Sequence, residues 1–292
     1  MDLQLNVVRP TEAKITLALE FLLKISAKEF ISAKLLEQRL GLIRFMAEVL
    51  PLITPFLQPL HSWVSGLVNS PMARPSGRPG HLHIAVANFV ITILQQLHSG
   101  ELIGHRMFFP VQAAGMGASD AKADKSLAVI GGWWCSSMPP AKYDSYWFSF
   151  RVTKELFPWA FAKGSPQRVI SALELLGTVI LVRLIAELDI GGATDVTVKG
   201  ITDSECNTYA FLRSYSSRLP AALIHMELMA SCHVARIFPR ISHRKRDENV
   251  WADELTEEHF AGWCPHRRWE PKFQAGFFHV LDNLLGLARD GV

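Results

Sequence analysis

The sequence predicts an α/β protein in which a mixed sheet flanked by helices follows an α-helical module. From Thr11 to about Leu97 the apolar residues recur at helical spacing. After Gly104 short segments rich in aromatic and β-branched residues appear, separated by turn-forming residues. From there the predicted order is three strands, helix, strand, helix, strand, helix, which indicates one sheet with helices on its faces.

This change of pattern sets the predicted domain boundaries. We expect a helical module over residues 1–104, a sheet domain over residues 105–270 and a C-terminal helical tail over residues 271–292. The chain has 292 residues, of which 49% are hydrophobic, so it can bury one large core or two modest ones.

Composition narrows the class of protein only slightly. The formal net charge of +3 is compatible with a polyanionic partner but does not establish one. The four cysteines lack CxxC spacing, which is typical of a reduced, intracellular protein of the cytoplasm or nucleus. The longest apolar stretches are Ile84–Leu97, too short to cross a bilayer, and Val169–Leu188, which charged residues interrupt. Both predict buried helices, and no membrane partner is expected.

The helical module should begin with a helix capped by Thr11. A capping box at Ser26–Glu29 is expected to open the next element, and a further helix should run through Leu35–Ile43. The segment Asn69–Gly80 is rich in Pro, Gly and Arg and predicts an exposed loop before a helix over Leu82–Leu97.

The sheet domain should begin with an antiparallel meander of strands at Met107–Ala113, Leu127–Trp134 and Tyr146–Val152. A long helix is expected after Ser165 and Pro166, since serine caps helices and proline suits the first helical position. The remaining predicted elements are a strand at Val196–Thr202, a helix at Pro220–His233, a strand at Ala235–Phe238 and a helix from near Asn249.

Four acids occur in this domain at separate elements: Asp120, Glu174, Asp203 and Asp253. Carboxylates that converge repel one another, so a fold that gathers them needs bound divalent cations. Each acid alone has an ordinary explanation. Asp120 could lie in a turn, with Asp124 as a rival in the same segment, Glu174 could lie on a helix surface, and the other two could cap helices.

The local motifs resemble those of retroelement ribonuclease H domains. DAKA at Asp120 looks like a DAS-type motif, and LELLG around Glu174 resembles the segment around the family's glutamate. TDSECNTY at Asp203 is similar to TDNxxxxY, with Ser204 in place of asparagine. NVWADELT at Asp253 resembles NxxADxLS. The resemblance implies a ribonuclease H-like mixed sheet whose four acids bind metal.

The first half of the chain extends the resemblance. Residues Ile31–Val64 look like the connection or thumb segment that follows the palm of retroelement reverse transcriptases. No YxDD-type motif is present, and the chain lacks the length for fingers and palm, so it should not polymerise DNA by itself. The chain thus resembles the C-terminal portion of a reverse transcriptase, and the implied partner is the polymerase portion of a retroelement polyprotein.

The implied activity is cleavage of the RNA strand of an RNA/DNA hybrid by a metal-dependent ribonuclease H. Two Mg²⁺ ions, or Mn²⁺, would be held by the four acids, and His243 would assist release of product or proton transfer. The alternative is a catalytically inactive retroelement remnant that acts at most as a nucleic-acid or protein binding module.

Nucleic-acid contacts are expected from the densest basic region, just before the Asp253 motif. Its candidate residues are Arg240, Arg244, Lys245 and Arg246, and Asn207 is expected to add a contact. The same charges could simply be solvated. Trp133, Trp134 and Trp147 could stack on bases but are assigned to the core.

Overall fold

The computed structural model describes residues 7–69, 75–102, 105–106, 113–188, 196–202, 207–209, 218–243, 245 and 248–285. The chain forms two compact units. One unit comprises residues 1–110 together with 282–292, and the other comprises residues 111–281.

The first unit is helical, as predicted. Its helices are α1 (Glu12–Ser26), α2 (Ala33–Ala47), a 3₁₀ helix (Pro51–Leu57), α3 (Gln58–Asn69) and α4 (His81–Ser99). Helix α1 packs against α4, and the buried side chains of each recur at helical spacing. Two-residue antiparallel pairs join Val7–Val8 to His105–Arg106 and Ile31–Ser32 to Ser76–Gly77.

The helix boundary expected at Ser26 is wrong. Ser26 is the last residue of α1, and the chain then turns through Lys28, whose φ of 58° is left-handed. No right-handed helix can begin in that conformation. Helix α2 is capped instead by Ser32, whose Oγ accepts a hydrogen bond from the Leu35 amide at 3.2 Å.

The second unit is built on a five-stranded mixed sheet. Its strands are β1 (Ala113–Ala123), β2 (Ala128–Cys135), β3 (Tyr146–Val152), β4 (Val196–Thr202) and β5 (Ile237–His243). The spatial order is β3-β2-β1-β4-β5. The first three strands form the predicted antiparallel meander, whereas β4 runs parallel to both β1 and β5.

Strand β1 lies later in the chain than predicted. Residues 107–112 are outside the described residues, and the observed strand covers the small-residue segment that the sequence suggested as a turn. The reason lies in the neighbouring strand. A Cβ atom at Gly115 would lie 2.4 Å from the Cys135 carbonyl oxygen and 2.5 Å from the Trp134 ring. Small residues are needed here because the tryptophans of β2 fill the space, so β1 carries no aromatic or β-branched signal.

Three helices cover the sheet. Helix α5 (Ile170–Glu187) follows a 3₁₀ turn at Pro166–Val169 and packs on β1 and β2. Helix α6 (Ala221–Ala235) packs against α5 and contacts β5. Helix α7 (Val250–Thr256) packs on the opposite face of β1 and β2. Within the described residues the stretch Pro166–Glu187 is long and apolar enough to cross a membrane, but 72% of its apolar window is buried in the protein. It is therefore a core helix, as the sequence predicted.

The tryptophans assigned to the core are buried. Trp133 and Trp147 pack with Trp263 in a cluster beneath α7. The Trp147 indole N–H donates to the Cys264 carbonyl at 2.8 Å, and the Trp269 amide donates to the Trp147 carbonyl at 2.7 Å. The segment after α7 thus covers the β3 edge of the sheet.

A buried acid that the sequence did not single out holds the C-terminal segment. Glu227 lies on α6 with no exposed surface. Its carboxylate accepts hydrogen bonds from the amides of His279, Val280 and Leu281 at 2.7–2.9 Å. It also accepts one from the Ser231 hydroxyl at 2.8 Å. These four donors replace the hydration that the carboxylate loses on burial.

A substitution at Glu227 tests this anchoring role. Glu227→Gln should lower the free energy of unfolding by about 2–3 kcal/mol, because an amide nitrogen would face backbone donors in a buried site. The measurement is urea unfolding, with Glu187→Gln as the control. Glu187 is exposed and accepts a single hydrogen bond, from Trp269. Equal stability of the two variants would show that the buried contacts with residues 279–281 contribute nothing.

Buried histidines make the stability of this unit depend on pH. Burial lowers the pKa of His225, on α6, to about 4. The unfolded chain therefore binds the proton more readily, and stability is lost as pH falls below about 6.5. From pH 7.5 to 5.0 the loss from this group should be about 2 kcal/mol. His225→Leu should flatten the dependence of unfolding free energy on pH by that amount. Parallel curves for wild type and variant would contradict the assignment.

Candidate active site

Asp120 lies within β1, opposite Gly131 of β2. Residues opposite each other in an antiparallel pair point to the same face of the sheet. A Cβ atom at Gly131 would lie 2.7 Å from the Leu255 Cβ of α7, so both positions face that helix. Asp120 is 3% exposed, and its Oδ1 accepts a hydrogen bond from the Ala121 amide at 2.8 Å.

Asp253 is carried by α7 on the same face. Trp251 and Asp253 are two residues apart and so project from nearly opposite sides of the helix. Trp251 packs against Trp133 and Trp263, with ring centroids 4.8 and 6.0 Å away, which is the β2–β3 side. Asp253 therefore lies on the side of α7 that faces away from the tryptophan cluster. Two of the four predicted acids, Asp120 and Asp253, thus share one face of the sheet.

Glu174 lies on α5, which packs on the other face of the sheet. It is partly buried, and its Oε2 accepts a hydrogen bond from the Asn207 side-chain amide at 3.2 Å. The same amide donates to the Ser171 carbonyl at 3.0 Å. Asn207 follows β4 by five residues, so these contacts hold Glu174 near the segment after that strand. Asn207 is 7% exposed, and its role as a nucleic-acid contact stays a prediction.

Three predicted residues, Asp203, Arg244 and Arg246, lie outside the described residues. The ends of β4 and β5, which precede these residues in the chain, are among the described residues. Ala118 is paired with Ile201, so β4 ends alongside the part of β1 that holds Asp120. Thr202, the last residue of β4, is paired with His243, the last residue of β5. His243 is exposed at this strand end.

Asp124, the rival of Asp120, lies in the hairpin turn between β1 and β2. Its Oδ1 accepts hydrogen bonds from the Ser126 and Leu127 amides, both at 2.7 Å. These hydrogen bonds lower the pKa of the Asp124 carboxyl. The turn therefore explains why an aspartate occupies position 124 without any metal.

The donor chemistry of the four acids fits Mg²⁺, which prefers oxygen ligands and usually keeps several waters. Among the described residues, which exclude Asp203, no three His, Cys, Asp or Glu side chains form a group that could hold a metal ion. The residue before α7, which is the asparagine of the NVWADELT motif, adds a polar group. Asn249 is 3% exposed, and neither atom of its amide has a hydrogen-bond partner in the described part of the chain. A bound water or ligand oxygen would satisfy it.

The basic residues that the structure describes are accessible. Arg240, on β5, and Lys245, just after it, are both exposed. Lys199, on β4, is also exposed and was not identified from the sequence. It lies next to Arg240 in the parallel pairing.

The helix between β3 and β4 lies on one face of the sheet, and α7 lies on the other. Together with the order and directions of the strands, this arrangement identifies the architecture. The fold is ribonuclease H-like. No protein-family model matches the chain, and no curated protein matches it.

Solved structures give likenesses of low identity. Ribonuclease H1 from Halobacterium salinarum NRC-1 has 15% identity and a TM-score of 0.35 over 50% of this chain and 96% of that chain. The N-terminal RNase H domain of a Mycobacterium tuberculosis protein, solved as a fusion with maltose binding protein, has 12% identity and a TM-score of 0.35 over 50% and 93%. The Prototype Foamy Virus protease-reverse transcriptase has 14% identity and a TM-score of 0.31 over 53% and 22%.

Helix α7 can pack this closely on β2 only if the residue at position 131 has no side chain. Gly131→Ala would put a Cβ atom 2.7–2.9 Å from Leu255 and from the Thr256 amide nitrogen, so α7 must shift. The free energy of unfolding should fall by about 1–3 kcal/mol. Gly41→Ala, in α2 with nothing within 4 Å of the new Cβ, is the control and should gain about 0.5–1 kcal/mol. Chemical denaturation checks both, and an unchanged Gly131→Ala stability would contradict the packing.

Proposed function

We propose that the protein is a metal-dependent endonuclease of the ribonuclease H type that cleaves the RNA strand of an RNA/DNA hybrid. The observation that carries the proposal is the placement of Asp120 and Asp253 on one face of a ribonuclease H-like sheet. Asp120 lies alongside the carboxyl end of β4, after which Asp203 follows in sequence. The carboxyl ends of strands are where α/β scaffolds commonly present functional groups.

Asp120, Glu174, Asp203 and Asp253 would hold Mg²⁺ or Mn²⁺. When bound, the metal would lower the pKa of a water molecule and stabilise charge on the departing oxygen. Other residues of the protein hold these acids in position. Asn207 restrains the Glu174 carboxylate, and Gly131 lets α7, the helix that carries Asp253, lie close to the sheet. His243 is exposed at the end of β5, where it is accessible for proton transfer.

The substrate would be recognised by its shape. A hybrid presents the 2′-hydroxyls of its RNA strand in a wide, shallow minor groove, and these distinguish RNA from DNA without reading sequence. Arg240, Arg244, Lys245 and Arg246 would contact phosphates. We propose that the helical module serves as a connection-like segment of a retroelement reverse transcriptase whose polymerase portion is the partner.

The second candidate is a catalytically inactive retroelement remnant that binds nucleic acid or protein. It is favoured by the lack of a three-member metal-binding group among the described residues and by Ser204 in place of asparagine. It requires the same fold and no hydrolysis.

Cleavage of a labelled hybrid separates the two candidates. In Mg²⁺ the wild type should cut the RNA strand. The cleavage rates of Asp203→Asn and of Asp253→Asn should each fall at least about a hundredfold, because each substitution weakens a group that stabilises charge in the transition state. Chelation by EDTA should abolish cutting. Asp124→Asn is the matched control, because Asp124 serves the hairpin turn, and it should retain near wild-type activity.

Two results would overturn the catalytic proposal. If neither the wild type nor the variants cut the hybrid, the remnant is the better description. If Asp203→Asn cuts as fast as the wild type, the activity does not come from these acids.

A further inference from the structure

A pair of basic residues lies on the same sheet face as Asp120. Met116 of β1 is paired with Lys199 of β4, and Lys199 is paired with Arg240 of β5. Residues paired side by side in a parallel sheet point to the same face. Met116 packs against the core cluster beneath α7, so this row of three residues lies on the α7 face. Asp120, four residues after Met116, lies on that face too, because strand side chains alternate with a period of two.

Helix α7 does not cover this pair. It packs on β1, β2 and β3, whereas Lys199 and Arg240 lie on β4 and β5. Lys199 and Arg240 are exposed, and neither takes part in any ion pair of the described residues. Two adjacent unpaired cations on a sheet repel each other, which costs stability unless an anion is bound. A third residue of this face, Ser242, is exposed next to Arg240 on the side nearer Asp120.

We propose that Lys199 and Arg240 bind the phosphate backbone of a nucleic-acid strand whose scissile bond lies at Asp120 and Asp253. This role rests on the proposed nuclease function, and it adds that the substrate extends from Asp120 across the sheet to β4 and β5. Lys199 was not among the residues predicted from sequence, because an isolated lysine in a strand carries no signal until the register places Arg240 beside it.

The geometry suits a backbone that crosses the sheet. With a rise of about 3.3 Å per residue and a spacing of about 4.8 Å between strands, the pair lies roughly 14–16 Å from Asp120. That is the reach of a few nucleotides along one strand. Charge complementarity favours phosphates as the occupant, since a lysine and an arginine side by side present up to eight N–H donors and no acceptor.

Equilibrium binding tests the proposal directly. Affinity for a fluorescein-labelled RNA/DNA hybrid is measured by anisotropy in EDTA over a range of KCl concentrations. The variant Lys199→Gln/Arg240→Gln should bind at least about tenfold more weakly at low salt, and the slope of log K against log salt should become shallower by about 2. Binding to duplex DNA should weaken in parallel, because phosphates and not bases or 2′-hydroxyls are contacted.

The matched control removes the same charge elsewhere. Lys154→Gln/Lys163→Gln replaces two exposed lysines, and Lys154 follows β3 at the opposite edge of the sheet. It should leave the salt slope at its wild-type value. Circular dichroism on all three proteins should show the same fold, since every substituted side chain is exposed.

The outcomes separate this proposal from the nuclease function. A wild type that cleaves hybrid, with an unchanged salt slope in Lys199→Gln/Arg240→Gln, would overturn the phosphate pair alone. A wild type that binds hybrid but does not cleave it, with the predicted loss in the variant, would support the pair and overturn the nuclease. A wild type that does not bind hybrid at all would overturn the pair.

Discussion

The close approach of α7 to the β1–β2 pair is the contact on which the rest of the sheet domain depends. Gly131 makes it possible, because any side chain there would occupy the space of Leu255. The contact buries Leu255 and Ala252 over the tryptophan cluster. It also sets the distance of Asp253 from the sheet. The same packing that supplies the hydrophobic core therefore positions an acid of the candidate site.

The two faces of the sheet have different roles. On the α5 and α6 face, two buried polar groups have protein partners: Ser119 contacts Thr178, and Glu227 accepts from four donors. On the α7 side, the Asn249 amide has no partner in the described part of the protein, and Lys199 and Arg240 have no counter-ion there. Buried or clustered polar groups cost free energy when unpaired, and a ligand bound on this side would supply partners for these three residues.

Long periodic segments were predictable from the sequence, and strands of small residues were not. The helix over Leu82–Leu97 and the strand at Tyr146–Val152 are confirmed, because their patterns depend on local spacing alone. Strand β1 was misplaced because its glycines and alanines are selected by the tryptophans of β2 and not by local propensity. At the site, the role of Asn207 was out of reach for the same reason, since the Glu174 carboxylate that its amide contacts lies 33 positions away in the chain.

The spacing of apolar residues predicted the types and order of the elements, and the local motifs added the resemblance to ribonuclease H domains. The sequence also supplied the four acids as a hypothesis through their local motifs. The face on which each acid lies, and the anchoring of residues 279–281 by Glu227, became clear only from the three-dimensional structure. These facts depend on strand register and on contacts between residues far apart in the chain, for which no local pattern exists.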